Sequence, residues 1–253
     1  MSGTPLRYAT LVEKPEQLNV AAIAEALGVW RGAPAADMVL PARASWGVVA
    51  DDVEQARAEA LVDLLRARGI SALAVPAGLL EEPPPALPAP ALDFGLAKRL
   101  TLLAATAFKR TTTKTIKTME GPSTAQKAVK IGLLIAGIPT GFGGGQREVV
   151  KQVAESDLFY YADLVLKDPS EKLRVDAQAF DYSCLGARKT YGASVNFRTL
   201  LELLSDAAPS AALNRGCRYL LAGKPVRETG YEGLEDLERE EKWLLTLRAL
   251  GKI

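Results

Sequence analysis

The residues around Phe180 are the ones whose types and spacing could support catalysis. Asp176 and Asp181 flank this phenylalanine at a predicted strand-to-loop junction, and Cys184 follows closely. Two converging carboxylates could serve as general acid and base, and a thiol could serve as a nucleophile. The chain has no histidine to activate that thiol, and acids at strand ends commonly cap turns. We therefore predict no catalytic residue and keep an enzyme that uses Asp176, Asp181 and Cys184 as an alternative.

Metal and cofactor chemistry have little support in the residue pattern. The chain holds two cysteines, Cys184 and Cys217, and neither belongs to a Cys-x-x-Cys pair, which argues against a disulfide scaffold and a structural zinc site. We favour two free thiols over one disulfide bond between them. The glycine-rich stretch at 137–146 lacks the Gly-Lys-Ser/Thr ending of a P-loop and the strand–helix context of a dinucleotide site. We predict no metal and no cofactor.

Basic side chains concentrate in residues 98–130. This stretch holds eight lysines and arginines and a single acid, Glu120, so its net charge is +7. On a strand, lysines often protect an edge against self-pairing, which is the structural interpretation. Nucleic acid, lipid headgroups or an acidic protein would be the anionic partners of such a surface. The side chains that could bind them are Lys109, Arg110, Lys114 and Lys117.

Three consecutive aromatic residues, Phe159, Tyr160 and Tyr161, lie in a second predicted strand. Alternate strand positions face opposite sides of a sheet, so at least one of these rings is expected to be buried. All three, with the basic residues above, form the predicted partner-binding surface, and ordinary core packing of the rings is the alternative. Residues 128–145 are predicted to be buried, mobile or an interaction segment, and the sequence does not choose among these.

The elements that must position these residues begin with a small module at 6–78. A strand starts at Tyr8, and Asn19 is predicted to cap a helix that stops at Gly28. A helical turn and a second strand follow, and Asp51 or Asp52 is then predicted to cap a helix before the last strand. The order β-α-α-β-α-β predicts an antiparallel three-stranded sheet with helices on one face.

This module resembles the C-terminal domain of the bacterial ribosomal stalk protein. The resemblance rests on the element order, the helix break at Gly28-Val29, the helix end at Asp37-Met38-Val39 and the alanine-rich helix that ends in Arg68-Gly69. That family recruits translation GTPases through lysines on its two early helices. Here those helices carry other residues, so the resemblance implies a shared fold with a different use. The residues concerned are Ala21, Ala22, Glu25, Ala35 and Ala36.

A proline-rich linker is predicted at 79–93, because five prolines in ten residues favour an extended conformation. A β-rich domain at 94–253 follows, with a mainly antiparallel sheet or partly open barrel and C-terminal helices. One helix is predicted from about Ala193 to Leu204. Another is built on Leu234 to Leu247, with Thr229 and Glu232 in capping-box spacing. The fold class is therefore α+β.

The composition is that of a globular protein: 253 residues, 48% hydrophobic, with a net charge of +1. No secretory signal is visible, and the apolar run Ile131–Ile138 is far shorter than the roughly 20 residues of a spanning helix. We predict a cytoplasmic, non-enzymatic binding or adaptor protein with an unidentified protein partner. The alternatives are anionic-surface binding through lipid or nucleic acid, and the enzyme described above. The sequence indicates neither the partner nor the oligomeric state.

Overall fold

The computed structural model describes residues 6–120, 147–168 and 170–253, and at 111–120 and 147–156 it describes the backbone alone. The chain forms two compact units. One unit joins Met1–Phe108 to Phe159–Ile253, and the other is Lys109–Leu158. The predicted α+β class is confirmed, and no sheet in the described part of the chain closes into a barrel. The predicted segment at 128–145 lies outside the described residues.

The N-terminal module has the predicted order β-α-α-β-α-β. Its three strands form an antiparallel sheet in which β1 is central. The strands are β1 Tyr8–Val12, β2 Val48–Val53 and β3 Ala72–Pro76. The helices are α1 Val20–Arg31, α2 Val39–Ala44 and α3 Gln55–Arg66.

Asn19 caps α1 as predicted, since its side-chain oxygen accepts hydrogen bonds from the backbone N–H groups of Ala21 and Ala22. The predicted stop at Gly28 is wrong, because α1 continues to Arg31. A Cβ at Gly28 would lie 2.9 Å from the Ala33 carbonyl oxygen. This glycine therefore permits a close approach of backbone inside the helix.

The predicted caps of α3 are also wrong. Strand β2 extends through Asp51 and Asp52 to Val53, so the helix begins beyond them. Glu54 occupies the cap position and makes no side-chain capping bond. The Asp51 carboxylate instead accepts a hydrogen bond from the Asp52 N–H at 2.7 Å. Pairing of β2 with β1 thus decides where this helix starts.

The second sheet has five strands in the order β4-β7-β6-β5-β8. β6 and β7 pair antiparallel, whereas β4 with β7 and β5 with β8 pair parallel. The strands are β4 Ala86–Pro88, β5 Leu100–Glu120, β6 Arg147–Leu166, β7 Glu171–Asp176 and β8 Ala212–Leu213. The helices are α4 Ala193–Ala207, α5 Arg215–Leu221 and α6 Leu234–Ala249. Short 3-10 helices occupy Pro15–Gln17, Ala35–Met38, Ala77–Leu79, Phe94–Arg99, Tyr182–Arg188 and Val226–Glu228.

The capping box predicted for α6 is wrong. The Thr229 hydroxyl is buried and hydrogen-bonds to the carbonyl groups of Val226, at 2.7 Å, and Ala107, at 3.1 Å. The hydroxyl therefore bonds to β5 and to its own 3-10 helix and does not cap α6. Helix α6 begins after Gly233, which offers no side-chain cap.

The proline-rich segment packs against its neighbours along much of its length. The Glu81 N–H donates to the Thr246 hydroxyl at 2.9 Å, and Glu82 pairs with Lys242 of α6 at 2.5 Å. Strand β4 adds to the edge of β7. A domain boundary at residues 79–93 stays a prediction. In the structure this segment is packed against α6 and β7.

Two hydrophobic cores lie on opposite faces of the second sheet. The first core joins Leu102 and Ala104 of β5 to the N-terminal module and to α6. The second joins Leu103 and Ala105 to α4 and the 3-10 helix at 182–188. Trp243 of α6 secures the first core, because its indole N–H donates to the Val12 carbonyl at 2.7 Å. Only glycine fits at position 47 beside this ring, because the φ angle of Gly47 is +93° and a Cβ there would lie 2.1 Å from the Trp243 ring.

Candidate partner-binding surface

Two of the predicted aromatic residues, Phe159 and Tyr161, stack with a third ring, that of Phe108, and we call these three rings the aromatic cluster. The ring centroids lie 6.0 Å apart for Phe108 and Phe159, 5.9 Å for Phe108 and Tyr161 and 6.5 Å for Phe159 and Tyr161, with near-parallel planes. All three side chains are half-buried. Strand alternation explains the arrangement, since Phe159 and Tyr161 share one face of β6 and Phe108 comes from the neighbouring strand.

Tyr160 is separated from this cluster. It projects to the opposite face, where its ring centroid lies 5.8 Å from that of Phe197 in α4 and packs against the second core. Burial raises the pKa of its phenol group. The predicted trio therefore divides between the two faces of β6, with Phe159 and Tyr161 in the aromatic cluster and Tyr160 against the second core. Phe108 was not predicted, because its position depends on how β5 pairs with β6.

A layer of charged side chains lies on the same sheet face as the aromatic cluster. We call it the charged layer, and it consists of Asp163, Lys172, Arg174, Glu238 and Glu241. Arg174 makes a bidentate contact with its cross-strand neighbour Asp163, at 2.8 and 2.6 Å, and reaches Glu238 at 2.9 Å. The Lys172 ammonium lies 3.0 Å from Glu241 and 3.6 Å from Asp163. These bonds tie α6 to β6 and β7.

The charged layer is strongly desolvated. Lys172 is 2% exposed, and Asp163 and Glu241 are fully buried. Burial raises the pKa of Glu241 well above its usual value, and the nearby Asp163 carboxylate adds to the effect. Glu241 Oε1 has no hydrogen-bond partner among the described atoms. A buried network of this kind fixes the position of α6 on the sheet.

The predicted basic residues belong to the other compact unit. Lys109 and Arg110 are exposed. Lys114 and Lys117 lie in β5, and their side chains are outside the described part. The basic half and the aromatic half of the predicted surface thus belong to different compact units.

The acids considered for catalysis make the contacts of turn and helix caps. The Asp176 carboxylate accepts the Gln178 N–H at 2.9 Å. The Asp181 carboxylate accepts the Ser183 N–H at 2.9 Å and lies 3.7 Å from the Lys189 ammonium. Hydrogen bonds from the Ser183 hydroxyl and N–H lower the pKa of Asp181. Both acids therefore stabilise local structure around the 3-10 helix at 182–188.

The two thiols are free, and both are poor nucleophiles. Burial raises the pKa of Cys184, which is half-buried, and raises the pKa of Cys217, which is fully buried, to about 12. A protonated thiol attacks electrophiles weakly. Within residues 6–120, 147–168 and 170–253, no group of three or more histidine, cysteine, aspartate or glutamate residues could hold a metal ion. Among the same residues, no helix has the length and apolar character required to cross a membrane.

Comparisons with protein-family models, with curated proteins and with solved structures find no match to this chain. The resemblance of the N-terminal module to the stalk-protein domain accordingly stays a prediction.

Proposed function

We propose that this protein is a non-enzymatic binding or adaptor protein that contacts a partner protein through the aromatic cluster. The observation that carries the proposal is that three stacked, half-buried rings belong to neither hydrophobic core of the described structure. Aromatic side chains are enriched among the residues that dominate protein–protein binding energy. Rings already stacked in the free protein lose little conformational freedom on binding.

The partner side of this interface would supply aliphatic or aromatic side chains that cover the rings. Because the charged layer fixes α6 against β6 and β7, the strand that carries Phe159 and Tyr161 is held in a defined position. The surface is therefore prepared for binding without rearrangement.

We place this activity in the cytoplasm, where the free thiols of Cys184 and Cys217 would stay reduced. The proline-rich segment serves as a connection between structural elements rather than as a ligand for another protein. Glu82 in this segment forms an ion pair with Lys242 of α6, and strand β4 pairs with β7.

Anionic-surface binding is the second candidate function. The exposed Lys109 and Arg110 favour it, and Lys114 and Lys117 lie in the same strand. Binding to lipid or nucleic acid through these residues would weaken steeply as the salt concentration rises. An enzyme based on Asp176, Asp181 and Cys184 has less support, given the capping contacts and raised thiol pKa values.

Affinity capture followed by a binding titration tests the proposal. The tagged full-length chain recovers partners from its native lysate, and the recovered protein is then purified for titration. We expect the Phe159→Thr and Tyr161→Thr double variant to bind at least tenfold more weakly, since threonine preserves strand propensity but removes both rings. The Leu40→Thr variant is the matched control, because Leu40 is 71% exposed on α2.

Each remaining outcome has a defined meaning. Equal affinity of the wild type and the double variant, with matching thermal unfolding, would overturn the proposal. Recovery of only lipid or nucleic acid that salt releases would favour the second candidate. Changing Lys109, Arg110, Lys114 and Lys117 together to glutamine should then abolish binding.

A further inference from the structure

A cavity of about 360 Å³ lies apart from the aromatic cluster, where the N-terminal module meets the C-terminal region. The N-terminal module contributes Arg43 and Trp46 to its wall, and the C-terminal region contributes Arg215, Arg227 and Tyr231. Its size is within the range of small-molecule sites. We call it the arginine pocket.

Two stacked aromatic rings give the arginine pocket a rigid wall. The centroids of Trp46 and Tyr231 lie 4.4 Å apart with an interplanar angle of 6°. The Trp46 indole N–H donates to Asp236 at 2.8 Å. The Tyr231 hydroxyl accepts the Gly216 N–H at 2.9 Å and donates to the buried carboxylate of Glu240. Both rings are almost fully buried, so their positions are fixed before any ligand arrives.

Trp46 has an unusual backbone conformation. Its φ angle is +44°, in the left-handed region that bulky residues rarely adopt. Such conformations persist where surrounding contacts enforce them, and they concentrate at functional sites. Here the enforcing contacts are the Tyr231 stack and the hydrogen bond to Asp236.

Arg215 is held against this aromatic wall. Its guanidinium carbon lies 4.6 Å from the centroid of Trp46, and Nη2 donates to the Thr229 carbonyl at 2.7 Å. Its Nε is enclosed and has no hydrogen-bond partner among the described atoms. A guanidinium stacked on an aromatic ring retains donors in its plane for an anion.

The side chains that line the cavity carry a small excess of positive charge. Among the described residues, Arg43, Arg215 and Arg227 form no ion pair with any carboxylate. Glu228 and Glu232 also line the cavity, so three positive and two negative side chains leave a charge of +1. Both glutamates are exposed, as are Arg43 and Arg227, so solvent screens these four charges alike, and Arg215 is the more enclosed cation. Glu240 lies behind the wall, where it accepts the Arg215 backbone N–H and bonds to Asn214 and Tyr231.

We infer that the arginine pocket binds an oxyanion, the carboxylate or phosphate group of a small ligand. Arg215 provides the pre-positioned contact, and Arg43 and Arg227 close around the anion from the two sides of the cavity. The forked guanidinium group matches the geometry of both anions. This inference is independent of the aromatic cluster and of any protein partner.

Calorimetric titration of the full-length protein with inorganic phosphate and, separately, with citrate tests the inference. The buffer contains low salt, and matched sodium chloride additions correct for ionic strength. We expect saturable binding of at least one of these probes. The anion bound more tightly identifies the ligand class as phosphate or carboxylate.

The decisive comparison uses two double variants with the same change in net charge. Arg43→Gln with Arg227→Gln should raise the dissociation constant at least tenfold. Arg188→Gln with Arg218→Gln, at exposed positions outside the pocket lining, should change it less than twofold. Exposed sites were chosen so that both variants fold, which thermal unfolding verifies. Equal weakening in both variants, or binding of neither anion, would overturn the inference.

Discussion

Glu241 shows at the scale of one residue how burial and charge compete. Its carboxylate is fully buried, with Oε2 3.0 Å from the Lys172 ammonium and Oε1 without a hydrogen-bond partner in the described structure. Burial raises its pKa because desolvation penalises the charged form, and the ion pair with Lys172 offsets only part of that penalty. The residue thus makes stability depend on pH.

The direction of that dependence follows from proton linkage. With a raised pKa, the native protein retains the Glu241 proton at pH values where the unfolded chain, with a pKa near 4.5, releases it. The free energy of unfolding should therefore fall as pH rises from about 4.5 towards the folded-state pKa, by roughly 1.4 kcal/mol for each unit of pKa difference.

Glu241→Gln should lack this fall, because glutamine has no proton to release. Urea unfolding of the wild type and the variant from acidic to mildly alkaline pH measures the difference. Glu202→Gln is the control, since Glu202 is exposed and forms an i,i+4 pair with Arg198, and it should keep the wild-type profile. Parallel profiles for Glu241→Gln and the wild type would show that the pKa is not raised.

Helix α6 connects several parts of the molecule at the scale of an element. Trp243 reaches the N-terminal sheet, Glu238 and Glu241 complete the charged layer, and Thr246 binds the proline-rich segment. At its first turn, Asp236 accepts hydrogen bonds from the Trp46 indole and from the Glu232 N–H. The start of the helix is therefore stabilised by a residue inside it instead of by a preceding cap.

Asp236→Ala should lower the free energy of unfolding by about 1–2 kcal/mol, because it leaves the buried Trp46 indole N–H without a partner. Glu235→Ala is the matched control. It removes a neighbouring negative charge from the same first turn, and therefore the same kind of interaction with the helix dipole. This variant should lower the free energy of unfolding by only a few tenths of a kcal/mol. Urea unfolding compares them, and equal losses would mean that the two hydrogen bonds contribute nothing.

At the scale of the whole molecule, the first core makes the N-terminal module depend on the end of the chain. Leu237, Trp243, Leu244 and Leu247 of α6 lie in the same core as the strands and helices of that module. The sheet of the module shares its core with α6, which lies in the predicted second domain. The predicted division into 6–78 and 94–253 is therefore tested by measuring whether 6–78 keeps its free energy of unfolding without α6.

An isolated fragment of residues 6–78 should be less stable than the complete chain by roughly 3 kcal/mol or more, since it loses the apolar cover of Trp243 and Leu247. A peptide of residues 233–253 should restore part of that loss on addition. Urea unfolding followed by circular dichroism measures both effects. A fragment as stable as the complete chain and indifferent to the peptide would establish 6–78 as an independent domain.

Local signals in the sequence predicted most elements of this fold. Asn19 capping, the apolar stripes of the helices and the threonine-rich run of β5 act over a few residues, so a single pass along the chain detects them. The errors at Asp51 or Asp52 and at Thr229 share one cause, because contacts with the distant strands β1 and β5 decided the conformation at those positions. Gly28 differs, since its close contacts are with Ala33 and Ala35, only a few residues further along the chain.

The sequence by itself determined the α+β order of elements, the absence of any histidine-based site and the alternation that places Phe159 and Tyr161 on one face of a strand. Only the tertiary structure decided that Phe108 joins those rings and that Tyr160 does not. It alone brought Arg43 and Trp46 to Arg215 and Tyr231, because a cavity of this kind forms between segments far apart in the chain. Short-range propensity carries no information about which distant surfaces pack together.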